Sequence, residues 1–166
     1  MSAQAVITEA RSWIGTPFRH QAKCKGVGVD CVQLIAAVGE AAGVMTIDPG
    51  KAAAFAGYGR APNPARMGEA LRIFMTPIAK DDAGPGDVAW LQWRENLPMH
   101  LAILSEHKGR ATIIHALAEI GRCVEHGFTQ EWKDRAVSYW RYPGLAALQA
   151  SATRVGVAAG GASGQQ

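Results

Sequence analysis

In the first half of the chain, apolar residues recur every three or four positions, which is the spacing of helices that bury one side. The pattern predicts helices over residues 3–14, from Asp30 to Gly43, and over residues 66–75. Residues 44–66 carry glycine and proline at intervals that break any regular pattern, and no element is predicted there.

The second half changes to short runs of β-branched and aromatic residues separated by turn signals. Five runs predict the strands of an antiparallel meander: residues 88–93, 101–104, 111–115, 123–125 and 136–142. Because helices come first and strands later, we expect an α+β fold in which N-terminal helices pack on one face of a roughly five-stranded antiparallel sheet.

The length and the C-terminal composition set the expected domain organisation. At 166 residues the chain is long enough for one globular domain, which we assign to residues 1–145. Residues 146–166 end in a run of small and polar residues, and we expect them to form a flexible tail.

Charge and hydropathy exclude several classes of partner. The formal net charge is +3, but no run of Lys or Arg marks a nucleic-acid surface, and this mild charge suits a substrate that carries carboxylates. No apolar run approaches the ~20 residues that span a bilayer, and residues 1–20 lack a signal-peptide pattern. We therefore expect no nucleic-acid binding, no membrane insertion, and synthesis in the cytoplasm.

The cysteine count bears on metals and on the redox compartment. The chain has three cysteines at irregular spacing, which argues against a disulfide framework and against a four-ligand zinc site. This use of cysteine favours a protein that folds in a reducing compartment. No HExxH or paired-cysteine motif supports a zinc hydrolase, so we expect neither a metal nor another cofactor.

Cys31 stands where a glycine-punctuated loop turns into the second predicted helix. Asp30 is a suitable N-cap, which puts Cys31 in the first turn. There the unpaired backbone N–H groups and the helix dipole favour a thiolate, the nucleophilic form of cysteine. A small residue buried at a helix start is the alternative interpretation, and the local pattern alone favours it.

Two histidines in neighbouring predicted strands are candidates for the base and for the group that orients it. Residues 105–110 predict a hairpin turn. If the turn residues are 107–108, His100 lies directly opposite His115; if they are 108–109, the two histidines lie diagonally. Either register puts both imidazoles on one face, within about 5–8 Å of each other.

A helix that covers this face would complete a nucleophile–base–orienter set. Cys31 would attack, His100 would take the thiol proton, and His115 would fix the ring and tautomer of His100. Each histidine taken alone is better explained by a structural role. The remaining histidines fall in predicted loops and are assigned no role: His20, His107 and His126.

At these residues the sequence resembles the NlpC/P60 family of papain-like cysteine peptidases, and most of all the branch found in phage tails and phage-derived gene transfer particles. The similar motifs occur in order between about residues 3 and 143. They are Trp13-Ile14-Gly15-Thr16-Pro17-Phe18-Arg19-His20-Gln21, Gly28-Val29-Asp30-Cys31-Val32-Gln33-Leu34, Pro85-Gly86-Asp87-Val88, His100-Leu101-Ala102-Ile103-Leu104, Ile114-His115-Ala116 and Trp140-Arg141-Tyr142-Pro143. Each motif is weak, and the ordered set is specific.

The resemblance implies a papain-like fold with Cys31 as nucleophile, His100 as base and His115 as the orienting residue. It implies a substrate in the peptide stems of bacterial peptidoglycan, cut between D-γ-glutamate and a diamino acid. It also implies tail hub or baseplate proteins as partners, and a phage-like particle tail acting in the periplasm as the place of work. Such stems carry carboxylates, which the basic residues beside the nucleophile would bind: Arg19, Lys23 and Lys25.

Two positions depart from the family pattern. Phe18 stands where the family usually has tyrosine, which removes a hydroxyl near the oxyanion or the substrate, and Gln33 stands where the family has glycine. With Arg19 and Asp30, these two residues are our candidates for substrate or oxyanion binding. The departures leave open a structural tail-tip or baseplate subunit with the same fold and little or no activity. An acyltransferase or amidase on this fold is a third hypothesis, which the absence of an amphipathic membrane anchor disfavours.

Overall fold

The computed structural model describes residues 2–61, 63–94 and 97–146. The predicted tail beyond residue 146 therefore lies outside the described residues. The helices are α1 (Ala3–Arg11), α2 (Cys31–Ala41), α3 (Pro49–Phe55), α4 (Pro64–Phe74) and α5 (Gln130–Asp134), with a 3-10 helix at Lys80–Asp82. The three helices predicted from apolar spacing correspond to α1, α2 and α4 and are confirmed.

A two-stranded hairpin leads into α2, and a larger sheet follows the helices. The hairpin consists of β1 (Lys23–Cys24) and β2 (Gly28–Val29). The strands of the larger sheet are β3 (Thr76–Ile78), β4 (Val88–Arg94), β5 (Leu97–His107), β6 (Arg110–Leu117), β7 (Arg122–Gly127) and β8 (Ala136–Arg141). Their spatial order is β3-β8-β4-β5-β6-β7, and every neighbouring pair is antiparallel. The predicted α+β class with an antiparallel sheet is confirmed.

The sequence analysis missed several elements, namely α3, α5, the 3-10 helix and strands β1, β2 and β3, and two of these have a clear physical reason. Helix α3 begins in the segment expected to be irregular, where the side chain of Asp48 accepts a hydrogen bond from the N–H of Lys51 and Pro49 occupies the first turn. Proline at that position is compatible with a helix because its missing N–H would have no partner there. Strand β3 is a three-residue edge strand that contains Pro77, which suits an edge.

The turn between β5 and β6 selects one of the two registers left open by the sequence. His107 pairs with Arg110, so Lys108 and Gly109 form the two-residue turn and the candidate histidines lie diagonally. Lys108 has φ 52° and Gly109 has φ 73°, as a type I′ hairpin turn requires. The turn thus determines which side chains share the face of the candidate site.

Alternation along the strands gives the sheet two separate cores. On one face, Leu101 and Ile114 pack in a cluster with the buried side of α1 and α2. On the other face, Ala102 and Ile113 pack with Trp132 of α5. Helix α2 therefore covers one face only, which matters for the site.

A buried ion pair joins the turn before β4 to the end of β8. The guanidinium of Arg141 donates to both carboxylate oxygens of Asp87, at 2.8 and 2.7 Å. Asp87 also accepts from the backbone N–H of Gly84 at 2.9 Å, which shapes the turn before β4. This accounts structurally for the Pro85-Gly86-Asp87 motif. Within the described residues, no helix has the length and apolar character needed to cross a membrane.

Candidate active site

Cys31 is the first residue of α2, as predicted. The carboxylate of Asp30 caps the helix by accepting a hydrogen bond from the N–H of Gln33 at 2.9 Å. The Cys31 side chain is half-buried. The backbone N–H of Leu101, in β5, is near enough to the sulfur to lower its pKa. The sulfur therefore lies beside the residue that directly follows His100.

The protonation state of Cys31 differs from the expectation. Burial raises the pKa of the Cys31 thiol to about 12, and the neighbouring Asp30 carboxylate adds to the rise. The N–H groups of Leu101, Val32 and Cys31 lower the pKa without offsetting these effects. The prediction that the helix start alone favours a resting thiolate is thus wrong, because desolvation of the sulfur outweighs the stabilisation by the N–H groups. Cys31 is therefore a thiol, and a role as nucleophile would require a base.

Three imidazoles form a hydrogen-bonded series across β5, β6 and β7. Nε2 of His100 lies 2.7 Å from Nδ1 of His115. Nε2 of His115 lies 2.8 Å from Nε2 of His126, whose Nδ1 lies 3.0 Å from the carbonyl oxygen of Gly127. The sequence analysis paired the first two rings and placed His126 in a loop. The structure places His126 in β7, and that assignment is corrected.

Burial keeps the first two rings neutral. It lowers the pKa of His100 to about 4, and the electrostatic interaction with His126 lowers it further. It lowers the pKa of His115 to about 2, with further contributions from His100 and His126. Trp132 of α5 lies edge-on against His115, with ring centroids 5.2 Å apart, and tilted against His126 at 5.1 Å. An uncharged imidazole can accept a proton from a thiol.

The side of the sheet that carries the histidines also differs from the expectation. We expected α2 to cover the histidine face. Because His115 contacts Trp132 and alternates with Ile114, it lies on the face of α5, whereas α2 packs on the opposite face. Cys31 instead meets the sheet through the backbone of Leu101. Cys31 and the histidines thus approach the sheet from opposite faces.

The Asp30 carboxylate is the centre of a second polar cluster. Its oxygens accept from the N–H of Gln21 at 2.7 Å and from the hydroxyl of Tyr58 at 2.5 Å. His20 lies 3.7 Å from the same carboxylate and 3.0 Å from the carbonyl oxygen of Tyr58. Burial, and then the Asp30 hydrogen bond, raise the pKa of Tyr58. Tyr58 lies in the segment that the sequence analysis left irregular, and no local pattern marked it.

The other candidates for substrate binding surround this cluster. Phe18 is half-buried and packs against the main core. Gln33 is half-buried and lies near enough to the Tyr58 hydroxyl to lower its pKa, so its bulk is accommodated beside Cys31. Arg19 is exposed and lies over Gly28, where an added Cβ would be 2.6 Å from the Cδ atom of Arg19.

Two of the basic residues expected to bind substrate carboxylates already have acidic partners. Nζ of Lys23 lies 2.6 Å from Glu40, and Nζ of Lys25 lies 2.7 Å from Glu9. Both pairs are on the surface, where such contacts are weak and exchangeable.

A cavity of about 800 Å³ opens beside the start of α2, between α2, α3, α4 and β5. Val32, Gln33 and Leu101 form the part of its wall next to Cys31, while Phe55 and Phe74 are apolar members from α3 and α4. The volume falls within the roughly 300–1,000 Å³ of small-molecule sites. The described residues contain no group of three or more His, Cys, Asp or Glu side chains arranged to hold a metal ion.

Solved structures define the class of fold. An NlpC/P60 family protein from Bacillus cereus superposes with a TM-score of 0.62 at 16% identity, over 86% of this chain and 40% of that one. A lipoprotein-like NLP/P60 family protein from Staphylococcus aureus gives 0.55 at 19% identity, over 84% and 41% of the two chains. The NlpC/p60 domain of the peptidoglycan hydrolase SagA gives 0.52 at 18% identity, over 84% and 98%.

The chain therefore has the NlpC/P60 fold. It spans about 40% of the length of the Bacillus and Staphylococcus proteins. No protein-family model matches the sequence, and no curated protein is significantly similar to it. The likeness lies in the fold, at identities below 20% in these three structures.

Proposed function

We propose that the protein is a cysteine peptidase that hydrolyses amide bonds in the peptide stems of peptidoglycan. The observation that carries the proposal is the position of Cys31, which lies at the start of α2 and next to the backbone of Leu101 in β5. Leu101 directly follows His100, and the His100 ring is hydrogen-bonded to His115. The fold, shared with the hydrolase domain of SagA, supports the substrate class.

In this mechanism the Cys31 thiol and the His100 imidazole begin uncharged. The sulfur attacks the amide carbon as its proton passes to His100, and the oxyanion takes hydrogen bonds from the backbone N–H of Cys31 and from a nearby donor. His100 returns the proton to the leaving amine, which gives a thioester on Cys31. Water, deprotonated by His100, then releases the carboxylic acid and restores the thiol.

The finer features of the proposal come from the sequence resemblance. The bond cut is the one between D-γ-glutamate and a diamino acid. The protein is made in the bacterial cytoplasm and works at the tail of a phage-like particle, bound to tail hub or baseplate proteins. Arg19 contributes to binding the stem carboxylates.

Digestion of purified peptidoglycan tests the proposal. We expect the native protein to release stem peptides, whose masses identify the bond, and Cys31→Ala to release none. Cys24→Ala is the matched control, because Cys24 is exposed in β1 and should be dispensable. Equal release by the native protein and by Cys31→Ala would exclude Cys31 as the nucleophile.

A structural subunit with the same fold is the second candidate. The observation that favours it is the burial that raises the pKa of Cys31. A native protein that releases nothing from peptidoglycan, yet is required for assembly of a tail, would support this candidate over the hydrolase.

A further inference from the structure

We propose that His126 and the carbonyl of Gly127 are positioning groups of the same site, which fix the tautomers of three imidazoles in series. Nδ1 of His100, at the end of this series, then carries no proton. The inference rests on the proposed role of His100 as base, and it gives a function to a histidine that the mechanism above does not use.

The derivation begins at the Gly127 carbonyl, which can only accept a hydrogen bond. Nδ1 of His126 lies 3.0 Å from that oxygen, so this nitrogen carries the N–H. The proposal takes His126 in its neutral form, which has one N–H and leaves the other nitrogen as an acceptor. Nε2 of His126 therefore accepts, and the N–H of the next contact belongs to His115.

The same rule passes along the series. Nε2 of His115 donates across 2.8 Å to His126, so Nδ1 of His115 accepts. Nε2 of His100 must then donate across 2.7 Å to His115. Nδ1 of His100 keeps its lone pair and is the nitrogen to which the proposed mechanism assigns the proton of the Cys31 thiol.

The opposite arrangement of protons is unfavourable at the anchor. It would place the lone pair of Nδ1 of His126 against the lone pairs of the Gly127 oxygen and lose that hydrogen bond. It would also put the N–H of His100 on Nδ1, so this nitrogen could not take the proton of the Cys31 thiol. Burial of His100 and His115 keeps both rings neutral, so the one-proton rule applies to them.

The series also serves the charged state of His100. When the Cys31 S–H bond breaks, its proton binds Nδ1 of His100, and the ring becomes an imidazolium with a proton on each nitrogen. The proton on Nε2 remains bonded to His115, which stabilises the cation. The proton on Nδ1 then passes to the leaving amine as the C–N bond breaks, and His100 returns to its starting tautomer.

Imidazole ¹⁵N NMR of the full chain tests the tautomers directly, since the chemical shift of a ring nitrogen reports whether it carries a proton. The chain has five histidines, which single substitutions assign. In the native protein at pH 7 we expect His100 with its proton on Nε2 and His126 with its proton on Nδ1. A native His100 that carries its proton on Nδ1 overturns the proposal.

Two substitutions separate positioning from packing. His126→Phe keeps a ring against Trp132 but has no acceptor for His115, so we expect His100 to populate both tautomers. His126→Gln keeps an acceptor oxygen for His115 and an amide N–H for Gly127, so we expect the native tautomer. A His100 spectrum unchanged in His126→Phe would contradict the proposal. If His126→Phe does not fold, an altered His100 tautomer in His126→Gln would contradict the proposal instead.

Kinetics on purified peptidoglycan provide a second measurement. We expect His126→Phe to lower kcat by about 10- to 100-fold, the range for residues that orient a metal-ligating histidine, with KM unchanged. His126→Gln should regain most of the loss. His107→Phe, in the exposed end of the hairpin, is the matched control and should behave as native. An equal loss in His126→Gln and His126→Phe would contradict the positioning role.

The two measurements distinguish this inference from the function on which it rests. If the native protein does not hydrolyse peptidoglycan but the tautomers are as derived, the substrate assignment fails and the imidazole series stands. If hydrolysis depends on Cys31 but His126→Phe changes neither tautomer nor kcat, the series fails and the peptidase stands.

Discussion

The residue that decides the chemistry is Cys31, and two opposing influences act on it. The position at the start of a helix stabilises a thiolate, whereas desolvation and the Asp30 carboxylate stabilise the thiol. The second influence is larger, so Cys31 is a neutral thiol, and burial keeps the His100 imidazole neutral as well. In the proposed mechanism Cys31 is therefore activated only during the attack, when His100 receives its proton.

This balance predicts the alkylation behaviour of the cysteines. With a pKa raised to about 12, Cys31 should react slowly with iodoacetamide at pH 6–8 and faster as the pH rises, because the thiolate is the reactive form. Exposed Cys24 is the internal reference. Mass spectrometry of the labelled peptides gives both rates. Faster labelling of Cys31 than of Cys24 at pH 6 would contradict a protonated resting thiol.

At the scale of elements, the site depends on the turn that joins β5 and β6. A slip by one residue would move every side chain of one strand to the other face. The turn residues Lys108 and Gly109 prevent this because both adopt positive φ. The hairpin therefore holds the candidate histidines on one face, a few residues from a turn that touches neither ring.

Substitutions in this turn should change stability in opposite directions. Gly109→Val places a β-branched residue at φ 73° and should lower the free energy of unfolding by about 1–3 kcal/mol. Lys108→Asn creates the Asn-Gly pair favoured in type I′ turns and should raise it by a few tenths of a kcal/mol or more. Urea unfolding measures both. A Gly109→Val variant as stable as the native protein would show that the turn does not fix the register.

The sequence predicted those elements whose signals were local. The Asp30 cap, the helix after it and a two-residue hairpin turn were all visible in short stretches, and spacing alone reduced the register to two choices. Helix α3 was missed because Asp48-Pro49-Gly50 is both a turn signal and a capped helix start, and only packing decides between them. His126 would have joined the site if the strand predicted over residues 123–125 had been extended to Gly127.

Features set by tertiary packing were beyond the sequence. The alternation of β5 and β6 placed the candidate histidines on one face, but which face α2 covers depends on the whole arrangement. The Tyr58 hydroxyl reaches Asp30 from a segment without a regular pattern. The pKa of Cys31 depends on burial, which a helix-start motif does not specify.

At the scale of the whole molecule, the buried imidazoles couple folding to pH. The pKa values of His100 and His115 are lowered to about 4 and about 2, while unfolded histidine titrates near 6.5. Below pH 6.5 the unfolded chain therefore binds more protons than the folded one, and stability falls as the pH falls. Above pH 6.5 both histidines are neutral in the folded and the unfolded chain, and this loss of stability is absent.

We expect the free energy of unfolding to decrease between pH 6.5 and 4.5 by up to about 1.4 kcal/mol per pH unit for each buried histidine. Glu125, whose pKa the hydrogen bond from Arg11 lowers to about 2, contributes its own loss only below about pH 4.5. Urea unfolding at a series of pH values measures the slope. His107→Gln should leave the slope unchanged, and a flat native profile in this window would contradict burial of neutral rings.

The most direct test of the account is the detection of the thioester on Cys31. A soluble stem peptide is mixed with the protein, the reaction is quenched in acid within the first turnovers, and the intact mass and the Cys31 peptide are measured. The account predicts an adduct with the mass of the acyl part of the substrate, on Cys31 alone and absent from Cys31→Ala. Turnover of the peptide with no adduct on Cys31, and at the same rate in Cys31→Ala, would contradict it.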